Sequence, residues 1–193
     1  MQNISVPVEA FSHGQIKSKL WLVEKFGQWA TLHMPKNSFV LNWYGSWIGL
    51  GPFMLLSNPP CGIHEINLFD LDSRALATSQ RLLEYWYMEG VTMHAHARDV
   101  NDPPPFHHTD YLFVNTSCEH IQGSTWLEKI PHGAFVLLQS TNMQHPEHVN
   151  VSQNLHSFIE SVSSFLEILE SDAMDVKYTD SSFSRFMVFG RHR

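Results

Sequence analysis

Cysteine is scarce: only Cys61 and Cys118 occur in 193 residues. Two thiols exclude a disulfide framework and point to a reducing compartment, so the expectation is a cytoplasmic protein. Positive charge is also in deficit, with 12 Lys and Arg against 19 Asp and Glu and a net charge of −7. That balance argues against nucleic acid or anionic lipid as a partner held by long-range attraction. No apolar run approaches the roughly 20 residues of a membrane span. Met1 to Glu9 has neither a basic start nor an apolar stretch, which predicts no signal peptide. Repeats, low-complexity tracts and long linkers are missing too.

The apolar fraction is 43% and the charged fraction 16%, as in a globular chain. The length suits one domain over residues 1–193, able to bury roughly 70% of its unfolded surface. Histidine is abundant, at 13. The histidines are scattered, His107 and His108 being the only adjacent pair. Ligand sets need particular geometry, so the expectation is surface histidine and no metal site.

Hydrophobic patterning predicts a first helix over about 14–32, with Ile16, Leu20, Val23 and Ala30 on one face and Pro35 as stop. Ser38 to Trp43 reads as a strand, Gly45 to Gly51 as a bend, and Pro52 to Leu56 as a short helix. Strands follow at Ile63–Phe69, Val91–Ala97, Asp110–Val114 and Ala134–Leu138. Helices are expected at Ser73–Met88 and Val151–Val162, with Asp72 as the cap of the former. Asp102-Pro103-Pro104-Pro105 is an extended connection. The last two strands, Phe165–Leu169 and Ser184–Phe189, have no helix between them and should pair antiparallel. Alternating elements with apolar middle strands predict an α/β fold: a single Rossmann-like three-layer sandwich, mostly parallel, with a C-terminal antiparallel hairpin. Ligands of such sheets bind outside the carboxyl ends of the strands.

Three features stand at successive strand ends. Gly45, Gly49 and Gly51 let the backbone turn tightly and approach a ligand. Asp70 ends the second strand, where a carboxylate accepts both hydroxyl protons of a ribose. Asp99 follows the third, where a carboxylate accepts from an exocyclic amine. A nicotinamide dinucleotide fits less well, because the pyrophosphate fingerprint needs a third glycine where Pro52-Phe53-Met54 stands.

With these residues in place, Ser38 to Gln139 resembles the class I S-adenosylmethionine-dependent methyltransferases. The resemblance implies that Gly45, Gly49 and Gly51 face the amino-acid part of the cofactor, that Asp70 holds the ribose and that Asp99 faces the adenine. Small stand-alone proteins of tailed bacteriophages have the same look. The chain departs from the family pattern at Asn42, which stands where an acid is expected. The glycines are also set wider, with Trp43, Tyr44 and Trp47 among them. These aromatics serve either as a cation–π wall over the sulfonium, which makes Tyr44 a cofactor-binding candidate, or as ordinary packing.

In the same family the end of the fourth strand faces the transferring methyl. Asn115-Thr116-Ser117-Cys118-Glu119-His120 is the most reactive segment of the chain. Glu119 and His120 are the acid–base candidates and Asn115 would orient the acceptor, unless the segment merely caps a turn. Gln139, Asn142 and His148 are candidate acceptor-binding residues at the fifth strand end. His145 and His148, with Cys118, Glu119 or His120, are zinc ligands by type but not by recognised spacing. Cys118 as a nucleophile ranks low, because His120 is too near in sequence. Lys17 and Lys19 sit on a helix that would lid the cofactor, where they either meet a carboxylate or face solvent.

The resulting expectation is an S-adenosylmethionine-dependent methyltransferase for a small-molecule or nucleotide-type acceptor. Gly49-Leu50-Gly51-Pro52 also resembles the turn of nicotianamine-synthase-like proteins, which implies aminobutanoyl transfer as an alternative. A non-catalytic cofactor-binding partner subunit is the third reading, favoured by Asn42. A polymeric acceptor would need a partner chain or a homo-oligomer, for which the domain leaves little room otherwise.

Overall fold

Strands that are apolar at both parities need cover on both faces, and the chain supplies it. The computed structural model describes residues 6–35, 37–106 and 110–193; the histidine pair 107–108 lies outside them. Seven strands form one sheet: β1 (Ser38–Tyr44), β2 (Gly62–Asp70), β3 (Thr92–Ala97), β4 (Tyr111–Asn115), β5 (Phe135–Thr141), β6 (Leu166–Lys177) and β7 (Ser182–His192). Their order is β3-β2-β1-β4-β5-β7-β6. The first five run parallel and β7 lies antiparallel between β5 and β6.

Successive side chains of a strand point to opposite faces, and each face here has its own core. Phe39, Leu41, Trp43, Leu112, Val114, Phe135, Leu137, Met187 and Phe189 share one. Val40, Tyr44, Tyr111, Phe113, Val136, Leu138, Phe186 and Val188 share the other. The first face is covered by α1 (His13–His33), α2 (Leu50–Ser57) and α3 (Ser73–Leu82), whose apolar residues join that core. The second is covered by α5 (Leu155–Val162) and by a 3-10 turn at Thr125–Lys129.

The inward face of α1 only partly coincides with the one its aliphatic pattern predicts. Trp21, Leu22, Phe26, Trp29 and Ala30 are buried and Ile16 and Val23 pack partly buried, whereas Leu20 is 55% exposed. The three aromatics offer the larger apolar area and centre the buried face, which turns Leu20 outward. Trp29 stacks on Phe189 and Phe26 meets the same ring edge-on. Polar bonds fix the rest of the helix to β6 and its turn. Lys25 pairs with Asp172 at 2.9 Å, His33 meets Glu170 at 2.8 Å, and Gly14 N donates to the Tyr178 hydroxyl at 2.9 Å.

Several boundaries move from expectation. The helix expected over Ser73–Met88 breaks at Leu83, which packs fully buried, and α4 (Glu84–Met88) resumes beyond it. Asp72 caps α3 as expected, its Oδ1 accepting from Arg74 N and Ala75 N. The α5 helix begins four residues later than expected, at Leu155, because Asn154 and Ser157 form a reciprocal capping box there. The terminal hairpin is much longer than its apolar core suggests, since β6 alternates toward solvent through Lys177. No described helix is long and apolar enough to cross a membrane.

Two glycines give a test of this packing. Gly27 lies mid-α1 with open space where a Cβ would stand, so Gly27→Ala is expected to stabilise by about 0.5–1 kcal/mol. Gly49 has φ +81° and a Cβ there would lie 2.9 Å from Ser79 Cβ. Gly49→Ala is expected to destabilise by more than the ~1–2 kcal/mol of a left-handed alanine. Urea unfolding of both variants checks the opposite signs.

Candidate functional site

A cavity of about 940 Å³ opens between α1 and the carboxyl ends of the parallel strands. That is the upper part of the range for small-ligand sites, roughly 300–1,000 Å³. Strand order gives it two ends. The outer one is built by the residues after β1, β2 and β3, the inner one by α1, β4, β5 and β7.

The outer end is mostly backbone. Leaving β1, the chain takes positive φ at Gly45 (+62°), Trp47 (+46°) and Gly49 (+81°). Trp47 is a bulky residue in a conformation that costs it about 1–2 kcal/mol. Two partly buried bonds hold it there: Trp47 N donates to Asp70 Oδ2 at 2.7 Å, and Ser79 Oγ donates to Trp47 O at 2.6 Å. Asp70 Oδ1 accepts from Asp72 N at 3.0 Å. The carboxylate thus braces the bend from the neighbouring strand. A carboxylate has about four lone-pair sites, so Asp70 keeps about two for a ligand. Asp99 Oδ1 accepts from the main chain and side chain of Asn101 at 2.8 and 2.9 Å. Gly51 is required by close approach, because any Cβ would collide with the Trp43 indole that lines the cavity.

The inner end is made of side chains. Glu119 and Arg185 form an ion pair of 2.5 Å, their side chains 4% and 13% exposed. Arg185 Nη2 donates to Thr116 O at 2.8 Å and reaches Gln139 Oε1 at 3.5 Å. Ser18 Oγ of α1 donates to the same Gln139 oxygen at 3.3 Å. Glu119 Oε2 is buried with no hydrogen-bond partner among the described residues. Lys19 lines the same end, and its pKa falls to about 8 through burial and the nearby Arg185 charge, with Glu119 opposing. Lys19 Nζ donates to Gln15 Oε1. The arrangement offers one carboxylate oxygen, one amide and one easily deprotonated amine to a guest beside the outer site.

The structure brings Gly45, Gly51, Asp70, Asp99, Glu119, His120 and Gln139 onto one cavity wall. The other predicted residues lie off it. Tyr44 is fully buried among Phe69, Phe113 and Trp126, and burial pushes its hydroxyl pKa far up. Asn115 pairs with Tyr44 in the sheet, so it points to that same far face. Its Oδ1 accepts from Ser117 N at 2.9 Å, as a turn cap does. Asn42 shares the parity of Val40 and Tyr44 and is wholly buried, so it does not stand in for a cofactor-binding acid. Trp43, one residue on, faces the cavity instead.

Gly49 is the left-handed residue before α2 and presses against Ser79, behind the lining. Asn142 Oδ1 accepts from Ser184 N at 2.7 Å and ties β5 to β7. His148 flanks the wall, its ring 4.8 Å from that of His120. Lys17 is spent on the Asp175 carbonyl at 2.8 Å. Cys118 is sealed and its thiol pKa is pushed far up by burial, which removes it as a nucleophile.

Arg185 was not among the residues the sequence pattern selects. It is the one charge in the stretch Phe183–Phe189, which apart from Ser184 is otherwise apolar, and such a charge must find a partner.

No protein-family model and no curated protein sequence matches the chain. Its fold does match solved structures. The N-methyltransferase NodS from Bradyrhizobium japonicum WM9, in complex with S-adenosyl-L-homocysteine, has a TM-score of 0.63 at 12% identity, over 92% of this chain and 87% of that one. Magnesium protoporphyrin IX methyltransferase from Synechocystis PCC 6803, with the same bound ligand, gives 0.67 at 8% identity over 98% and 90%. A geranyl diphosphate methyltransferase in complex with its diphosphate and sinefungin gives 0.62 at 11% identity over 92% and 77%. The chain therefore has the Rossmann-like fold of the S-adenosylmethionine-dependent methyltransferases.

Removing one partner of the inner ion pair strands the other charge. Glu119→Ala and Arg185→Ala are each expected to cost about 3–5 kcal/mol. The double Glu119→Leu, Arg185→Met variant should recover most of that, measured by urea unfolding.

Proposed function

We propose that the cavity binds S-adenosylmethionine and that the chain transfers its methyl group to a small-molecule or nucleotide-type acceptor. The observation that carries the reading is Asp70. It stands at the end of β2 on the cavity wall, braces the glycine-bounded bend after β1 and keeps lone pairs for a vicinal diol. Ribose hydroxyls would meet Asp70, an exocyclic amine would meet the Asp99 region, and the amino-acid part would lie along Gly45 and Gly51. The similarity in fold to proteins solved with S-adenosyl-L-homocysteine or sinefungin supports the same ligand class.

Methyl transfer is an in-line displacement at carbon, so the protein's task is mainly to hold the acceptor atom behind the sulfonium methyl. Gln139, fixed by Ser18, and the free Glu119 Oε2 are placed to orient that acceptor. The attacking oxygen or nitrogen must also lose a proton. Lys19 is the group best suited to take it, since its pKa of about 8 leaves a neutral fraction near physiological pH. The charge of Glu119 is already engaged by Arg185, which suits orientation better than proton transfer.

The cofactor claim is tested by calorimetric titration with S-adenosylmethionine and, separately, with NAD. Micromolar binding of the former alone, lost in Asp70→Ala, is the expected result; no binding of S-adenosylmethionine would sink the reading. Product analysis after incubation with candidate acceptors should give S-adenosylhomocysteine, whereas methylthioadenosine would mean aminobutanoyl transfer.

The proton acceptor has its own signature. Lys19 acts only when neutral, so kcat/KM is expected to rise as pH climbs through about 8. Lys19→Met should lose that ascending limb and about 100-fold in rate. A limb that persists in the variant rules Lys19 out.

A further inference from the structure

The histidines beside the inner end of the cavity are not used by this chemistry. Glu119, His120 and His148 each place one ligand atom, and the three lie within 4.8 Å of one another. Nothing in the sequence spacing selects this set, because His148 comes from the loop after β5 and the other two from the turn after β4. We propose that these three residues form a binding site for a divalent first-row transition cation.

Three independent features support it. Glu119 is 3% exposed, and its Oε2 has no hydrogen-bond partner among the described residues, while Oε1 is held by Arg185. A buried carboxylate oxygen left bare is costly unless something positive or protic meets it. The second feature is the tautomer of His148. Its Nδ1 lies 2.7 Å from the Met143 carbonyl, which can only accept, so Nδ1 carries the proton and Nε2 presents a lone pair. A ligating histidine is commonly oriented by such a bond from its other nitrogen to a carbonyl.

The third feature is rigidity. Val149 N and Asn150 N both donate to Glu119 O, at 2.9 and 3.0 Å, so the His148 loop is clamped to the residue that supplies the carboxylate. His120 and His148 sit with rings perpendicular and 4.8 Å apart. Metal–nitrogen bonds of about 2.1 Å would draw the exposed His120 ring and the half-buried His148 ring inward by roughly an ångström, a small side-chain rotation.

Two imidazoles and one carboxylate suit zinc and its neighbours, not magnesium or calcium, which prefer oxygen shells. Three protein ligands leave coordination positions open. Glu119 and His120 also line the cavity, so those positions face the place where an acceptor oxygen or nitrogen would lie, and with the cation bound Glu119 Oε2 would orient that acceptor through it instead of directly. The site does not depend on which cofactor occupies the outer end.

The test uses the full untagged chain, stripped with chelator and dialysed. Co²⁺ is titrated by visible absorption and Zn²⁺ by calorimetry. One equivalent of each is expected, with Zn²⁺ displacing Co²⁺. Affinity should fall at least about 10-fold in His120→Ala and in His148→Ala. The latter is made with His145→Ala as well, because that ring lies only 5.3 Å from His148 and would substitute for it. His156→Ala, on the exposed side of α5, should bind like the parent. Absence of saturable binding, or equal affinity in the His120 and His148 variants, overturns the site. S-adenosylhomocysteine binding in the same samples reports separately on the outer end, and circular dichroism checks that the exposed His120 change and the half-buried His148 change leave the fold intact.

Discussion

Everything at the inner end of the cavity hangs on one ion pair, Glu119 with Arg185, held almost out of water. Two charges in such a place must satisfy each other and their surroundings, or neither can stay. The geometry that permits it is topological. A parallel strand delivers its last residues to the ligand edge of the sheet, whereas β7 runs the other way and delivers its first. Arg185 stands early in β7, opposite Thr141, and so arrives at the edge reached by the end of β4. It then extends across β5 to Glu119, touching Thr116 and Gln139 on the way. Gln139 in turn holds Ser18, so the pair also sets where α1 rests. The lowered pKa of Lys19 is a further consequence, since part of it comes from the Arg185 charge.

The two ends of the cavity are built on different principles. The outer end is shaped by backbone: three left-handed residues in five, a carboxylate that accepts from two amides, and an indole pressed onto a glycine. Few side chains there are free to be exchanged without moving the main chain. The inner end is shaped by side chains from four separate elements. Such a division lets the lining of the inner end change while the backbone of the outer end stays the same.

Much of this was readable in the residues. Apolar runs at Ser38–Trp43, Asp110–Val114 and Ala134–Leu138 specify buried strands, and glycines and acids at their ends mark the edge where Asp70 and Asp99 stand. What the pattern does not carry is parity at the strand ends. Trp43 and Tyr44 are adjacent aromatics, yet one faces the cavity and the other is packed behind the sheet. Asn115 and Asn42 fall on the far face for the same reason. Choosing between faces requires knowing which side α1 covers, and the buried face of α1 centres on Trp21, Phe26 and Trp29, with Leu20 of its aliphatic row turned outward. Contacts between distant segments are less legible: nothing near Glu119 announces Arg185, 66 residues on, and residue type alone offers His148 as a neighbour of Glu119 and His120 only among several ligand sets.

The helix that roofs the cavity is fastened chiefly to the terminal hairpin. Gly14 reaches Tyr178, Lys17 reaches Asp175, Trp21 and Lys25 reach Asp172, and His33 reaches Glu170, each across more than a hundred residues. On a ribosome, residues 13–33 therefore emerge long before residues 166–192, which provide their anchors. The roof is among the first segments made and among the last to be seated. Until then the cavity lacks its roof anchors and its guanidinium together. The wall of the cavity is consequently completed in one late step, when the hairpin closes and brings both.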